Sequence, residues 1–170
     1  MSRILLIVLL GLFLSIARVS LLYFFPAPIS VFDPLLVAAI ILIFIFDLKT
    51  GLILAVFGGL ILEFFSSLPF GLLAGSMILA LFSLDFLARE VFTNRSLWAL
   101  IILGFLGTLI YKIILLILYL LISLKIKTLP LLSVKGYFWL TWEEAFFNSL
   151  VLALVYLIYQ KIKKGSSQRI

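Results

Sequence analysis

The chain has 170 residues, of which 66% are apolar and 12% charged, and its formal net charge is +6. A water-soluble domain is nearer half apolar and a quarter charged, so the solvent for most of this chain is lipid. Cysteine and histidine are absent, which excludes disulfides, Ser-His-Asp and Cys-His catalysis, and the thiolate and imidazole ligands of most zinc sites.

Segments that cross lipid must satisfy their backbone polar groups internally. The apolar runs are continuous, not alternating, so the sequence predicts an all-α, polytopic membrane protein and not a barrel. Met1-Ser2-Arg3 is short and basic, and apolar residues follow from Ile4 to Phe25. Ser15-Ile16-Ala17 offers a small-x-small signal-peptide site. The apolar run continues past it and about 22 residues suffice to span a bilayer, so helix 1 is read as uncleaved. Residues 26–34 hold Pro26, Pro28 and Ser30 and form the first outer loop. Asp33 as N-cap and Pro34 at the first helical position start helix 2, which runs to about Phe46. It is short for a span, and is expected to extend at one end or to sit where the bilayer thins.

Asp47-Leu48-Lys49-Thr50-Gly51 reads as a tight inner turn. Helix 3 follows from about Gly51 to Phe65 and helix 4 from about Phe70 to Leu87, with Asp85 and Arg89 spaced to pair at the interface. Arg89, Glu90, Asn94 and Arg95 mark an inner loop, where the glycosylation sequon Asn94-Arg95-Ser96 is discounted. Helix 5 runs from about Leu97 to Leu124. Lys125 to Thr141 read as the longest loop, carrying Lys125, Lys127, Lys135, Tyr137, Phe138 and Trp139. Thr141 and Glu144 have capping-box spacing, which predicts the start of helix 6, ending near Tyr159.

The result is one six-helix membrane domain over residues 1–160 and a basic cytoplasmic tail over 161–170, its last residues disordered. With both termini inside, Arg3, Lys49, Arg89, Arg95, Lys161, Lys163, Lys164 and Arg169 are cytoplasmic, eight against the three lysines outside. That bias selects the orientation and accounts for the basic charge without nucleic acid. Tyr23, Trp139 and Trp142 then anchor the outer surface, and Trp98 and Tyr159 the inner one.

Small residues recur at helical spacing: Ala55 with Gly59, Gly71 with Gly75, and Gly104 with Gly107. Such faces let helix backbones approach closely, within the chain or against a partner helix. Arg18, Glu63 and Lys112 lie within spans, where a charge costs about 2.5–3.5 kcal/mol on insertion scales. Arg18 is about 10 Å from the outer end of helix 1 and can snorkel most of that way. Lys112 is about 18 Å deep and calls for a buried partner, Glu63 first and Glu144 second. The expectation is an outer-half polar cluster of Arg18, Glu63 and Lys112. The plainer alternative is snorkelling with ordinary helix pairing.

Enzyme motifs are missing: there is no Walker loop, no metalloprotease helix and no paired-aspartate signature of headgroup transferases. A lone acid beside lysine and arginine is ionised and paired, not poised as a general acid. The sequence therefore predicts a non-enzymatic protein without a cofactor or metal.

The order of features resembles the rod shape-determining protein MreD family. The features are Arg3 before a long first helix, Asp33-Pro34 before a leucine-rich second, and Gly58-Gly59 with Glu63 in the third. Pro69-Phe70-Gly71-Leu72 at the turn follows, and then residues 89–95 before a fifth helix with Thr108 and Tyr111. The family more often has Pro then Asp at positions 33 and 34, and aspartate at 63. The resemblance covers about residues 4–160. It implies a bacterial inner-membrane protein with a fold similar to the substrate-binding subunits of energy-coupling-factor transporters. It also implies a role in the cell-elongation machinery that builds lateral peptidoglycan. Such proteins bind the periplasmic scaffold MreC and work with the MreB filament and the cell-wall synthase complex. On that reading Glu63, Ser66, Ser67, Trp139 and Trp142 are the expected partner contacts. Two alternatives stay open: a vitamin-binding substrate subunit of an energy-coupling-factor transporter, and an unrelated membrane scaffold. Against the first, helix 1 lacks the alanine-x-x-x-alanine docking face, offering only Ala17 with Gly11 and Ser15.

Overall fold

The structure, a computed structural model of the chain, describes residues 2–25, 29–90, 96–124 and 134–167. The start of the first loop at 26–28, the sequon at 94 and 95, residues 125–133 of the fifth loop and the last three residues of the tail lie outside the described residues, as does the side chain of Tyr23. Among the described residues there are six α-helices and no strand: α1 (Ser2–Phe24), α2 (Pro34–Ile45), α3 (Leu48–Glu63), α4 (Leu72–Glu90), α5 (Leu97–Ser123) and α6 (Val134–Ser167), with a single 3₁₀ turn at Ile29–Val31.

The helix starts are set by short polar side chains. The Asp33 carboxylate accepts from the backbone N–H groups of Leu35 and Leu36 at 3.1 Å, with Pro34 beside it at the first helical position. Asp47 accepts from the N–H of Thr50 at 2.7 Å, which starts α3 at Leu48, three residues before the expected Gly51. Ser96 accepts from the N–H of Ala99 at 3.2 Å and opens α5. Gly71, at φ +89°, makes the left-handed step that lets α4 begin at Leu72 and not at Phe70. The expected pair of Asp85 and Arg89 forms at 2.8 Å.

The last helix differs from its expected bounds at both ends. Val134 to Leu140 are helical, so Tyr137, Phe138 and Trp139 belong to α6 and not to a loop. Thr141 is no N-cap; its hydroxyl donates back to the carbonyl of Tyr137 at 2.7 Å inside the helix. No proline follows Pro130 to stop a helix, and good helix formers around Lys161 carry α6 past Tyr159 to Ser167.

The shortest helix is the core. α2 touches all five other helices, and Leu35, Leu36, Val37, Ala39, Ile40 and Phe44 are buried among them. Apolar burial alone does not drive association in lipid, so close fit must supply much of the stability. The fit is close at the glycines. A Cβ at Gly59 would stand 2.9 Å from the Ala74 Cα, a contact that presses α3 onto α4. Gly104 and Gly107 similarly admit Leu152 of α6 and Leu84 of α4. Ser15 donates to the Gly58 carbonyl at 2.9 Å and ties α1 to α3. These small faces therefore pack within the chain. The Gly71–Gly75 pair is different, since nothing lies within 4 Å of where either Cβ would be.

Outside this core the helices present apolar side chains to their surroundings, among them Leu6, Phe13, Phe82, Ile117 and Leu154. An apolar shell of that extent belongs in a bilayer. Four helices, α1, α4, α5 and α6, are long and apolar enough to cross a membrane. α2 has 12 residues and rises only about 18 Å against a hydrocarbon core of about 30 Å.

Candidate functional site

Each end of the short central helix has its own chemistry. At its N-terminal end a polar network joins four helices. Arg18 of α1 donates to the carbonyls of Ser30 and Val31, at 3.4 and 3.1 Å, and to that of Phe32. Its Nε lies 3.9 Å from the Asp33 carboxylate. It thus closes the 3₁₀ turn from within the bundle, where three orphan carbonyls and one carboxylate converge, and does not snorkel outward. The Asp33 N–H donates to the side-chain oxygen of Asn148 on α6 at 3.0 Å. The Asn148 amide donates to Thr108 Oγ1 at 3.1 Å, and Thr108 donates to the Gly104 carbonyl at 3.0 Å, which extends the chain of bonds to α5.

Beside it, Lys112 Nζ of α5 lies 2.7 Å from Glu144 Oε2 of α6, with both side chains largely buried. The Tyr137 hydroxyl donates to the Lys112 carbonyl at 2.8 Å. The charges of Arg18 and Asp33 also act on Glu144, so two cations and two anions form one electrostatic unit. Such a balanced set removes the net charge that lipid would penalise. Glu144 Oε1 is buried without a hydrogen-bond partner among the described residues.

The expected cluster is therefore corrected in its membership. Arg18 and Lys112 belong to one network, but its acids are Asp33 and Glu144, not Glu63. Glu63 is buried at the end of α3 and accepts from the N–H groups of Gly71 and Ala74 at 2.8 and 3.0 Å. A carboxylate at a helix N-terminus satisfies free donors and meets the positive end of the helix dipole, so Glu63 caps α4. Buried in this way, its carboxylate is occupied by its own chain. Ser66 accepts from the Leu68 N–H at 3.1 Å and shapes the same turn; Ser67 is exposed. Trp139 and Trp142 are 71% and 54% exposed on α6, and Trp142 packs on Phe105 with ring centroids 5.4 Å apart. With Glu143, Phe146 and Phe147 they line a recess of about 260 Å³. Asn148 was the network residue the sequence reading passed over, although a lone amide inside an apolar span is itself a signal.

At the C-terminal end of α2 the bundle is open. Ile43, Phe44, Leu84, Ala88 and Leu103 line a cavity of about 430 Å³, with Asp47, Asp85 and Arg89 on its rim. Asp47 lies in the exposed turn, and the hydroxyl and N–H of Thr50 hold its carboxyl below the usual carboxylate range. Among the described residues no three acidic, histidine or cysteine side chains stand together as metal ligands. No family model matches the chain, and neither a curated protein nor a solved structure matches it.

Proposed function

We propose that this protein is a non-enzymatic, multi-pass component of the bacterial cell-elongation machinery in the cytoplasmic membrane. On this reading it has six membrane helices, both termini inside, and a fold and role like those of the MreD family. The carrying observation is how the intramembrane charges are used. Arg18, Asp33, Glu63, Lys112 and Glu144 all bind groups of their own chain. They make the outer half of the bundle a fixed platform, which suits a protein that positions partners and does no chemistry on them.

The same observation disfavours the vitamin-binding alternative. A vitamin receptor needs an open pocket with converging polar groups in its outer half. There Arg18, Asp33 and Asn148 are bonded within their own chain, and the cavity of about 430 Å³ lies at the opposite end of α2. With Glu63 occupied, the partner surface in this proposal shifts to the exposed aromatic face of α6, Trp139 and Trp142, where an MreC-like scaffold would dock.

The test is a mild-detergent pull-down of the tagged protein from its host, with mass spectrometry of what accompanies it. A single-span periplasmic scaffold and cell-wall synthases are expected. Their recovery should fall in the Trp139→Ala/Trp142→Ala variant, with the amount of inserted protein unchanged. Recovery of a coupling protein with two ATPases would overturn the reading.

A further inference from the structure

Two apolar recesses share one charged rim at the C-terminal end of α2. The first is the cavity of about 430 Å³ between α2, α4 and α5. The second is a more open groove of about 540 Å³ along α3, lined by Leu52, Val56 and Phe57. Asp47 and Arg89 border both; Asp85 joins the rim on the first side and Lys49 on the second.

The cavity lies beside the last two turns of α2, where Ile40, Ile43, Phe44 and Phe46 face Leu84, Ala88 and Leu103 and leave apolar volume that the chain does not fill. In a bilayer the available filler is hydrocarbon, and the volume falls in the usual range of ligand sites, roughly 300–1,000 Å³.

The rim specifies what the hydrocarbon is attached to. Two acids and two bases stand there, so the rim has no excess of either sign. Arg89 is 68% exposed at its side chain and is held in place by Asp85 at 2.8 Å. A guanidinium fork has more donors than one carboxylate oxygen uses, which leaves it able to bind a phosphate. Asp47 is fully exposed and its carboxylate is stabilised by Thr50. An anionic headgroup would meet Asp47 unfavourably, whereas a headgroup carrying both signs matches the rim.

We propose that this end of the bundle binds a two-chain phospholipid with a zwitterionic, ammonium-bearing headgroup, one acyl chain in the cavity between α2, α4 and α5 and the other in the groove along α3. Arg89 and Lys49 take the phosphate, and Asp47 takes the ammonium. The site holds whether or not the protein serves cell elongation, because it rests on the bilayer setting, the two recesses and the charges on their rim.

The experiment is native mass spectrometry of the full-length protein in mild detergent, titrated separately with phosphatidylethanolamine, phosphatidylcholine and phosphatidylglycerol. Phosphatidylethanolamine should bind about tenfold tighter than phosphatidylglycerol, the difference expected for one charged hydrogen bond. Phosphatidylcholine, whose ammonium has no N–H, should fall below phosphatidylethanolamine. Asp47→Asn still caps α3 because asparagine is an equally good N-cap, and it should abolish the preference over phosphatidylglycerol. Ala88→Trp should fill the cavity and weaken all three lipids. Arg89→Gln, at an exposed position that leaves the core intact, should do the same if the tryptophan variant does not fold. Equal binding of the three lipids, a preference for phosphatidylglycerol, or an unchanged preference in Asp47→Asn would overturn the proposal. So would a polypeptide found seated in the recesses in place of lipid.

Discussion

Lys112 Nζ and Glu144 Oε2 lie 2.7 Å apart between α5 and α6, a buried charge pair that joins the two helices. Its surroundings make it consequential. Glu144 is 3% exposed, its second oxygen has no hydrogen-bond partner among the described residues, and the charges of Arg18 and Asp33 act on it.

Breaking this pair from one side should be costly. Glu144→Gln leaves the Lys112 ammonium buried beside a neutral amide, and a loss of about 3–5 kcal/mol is expected. Lys112→Met with Glu144→Met should lose much less, because neither charge is then stranded. Reversible unfolding in detergent of Lys112→Met, Glu144→Met and the double measures the coupling. Additive losses would show that the pair does not act as a unit.

Asn148 should matter through the bonds it makes rather than through its volume. Asn148→Leu is close in size but removes the acceptor for the Asp33 N–H and the donor to Thr108. A loss of about 1–3 kcal/mol is expected from the stranded buried groups. Thr108→Val should cost less, since it leaves the bond to Asp33 in place. Thermal unfolding of the two variants gives the order, and the reverse order would contradict the network.

Glu63 should behave as a cap and not as a contact. Glu63→Ala strands the N–H groups of Gly71 and Ala74, at an expected cost of about 1–2 kcal/mol. Glu63→Gln keeps one acceptor oxygen and should recover part of that. Amide hydrogen exchange in the first turn of α4 should rise in the order wild type, Gln, Ala. Loss of a binding partner in Glu63→Gln with exchange unchanged would return this residue to the surface role.

Acid should loosen the start of α3. The carboxyl of Asp47 is lowered in the folded protein by its bonds to Thr50. Its contribution is therefore complete above the usual carboxylate range and is lost as pH falls through the lowered folded value. Asp47→Asn caps the helix without titrating. The difference in stability between wild type and this variant should shrink in favour of the variant on acidification, read by unfolding across that range. A difference that does not vary with pH would refute the assignment.

Much of the local structure was legible in the residues. Asp33-Pro34 marked the start of α2, Ser96 and Leu97 lay at the start of α5, and the Asp85–Arg89 spacing marked a pair on one helix. Each of these depends on groups within four positions of one another, so chain order alone carries the information. The depth of Lys112 likewise showed that it must have a buried partner, because lipid charges a lone ammonium heavily. The end of the fifth loop was misread for a related reason. The Thr141/Glu144 spacing looks like a capping box, and only the tertiary structure reveals that both residues lie inside a longer helix.

Sequence by itself therefore determined the solvent, the helical class and the starts of α2 and α5, since apolar content, continuous hydrophobic runs and caps act locally. Tertiary structure alone decided which acid neutralises Lys112, that Glu63 closes a turn, and that the shortest helix lies at the centre with a cavity beside its last turns. Those outcomes depend on how six helices are rotated and ordered around one another. That arrangement is settled by what fits against Gly59, Gly104 and Gly107, the backbone of Ala74 and the side chains of Leu152 and Leu84, and spacing along the chain does not encode it.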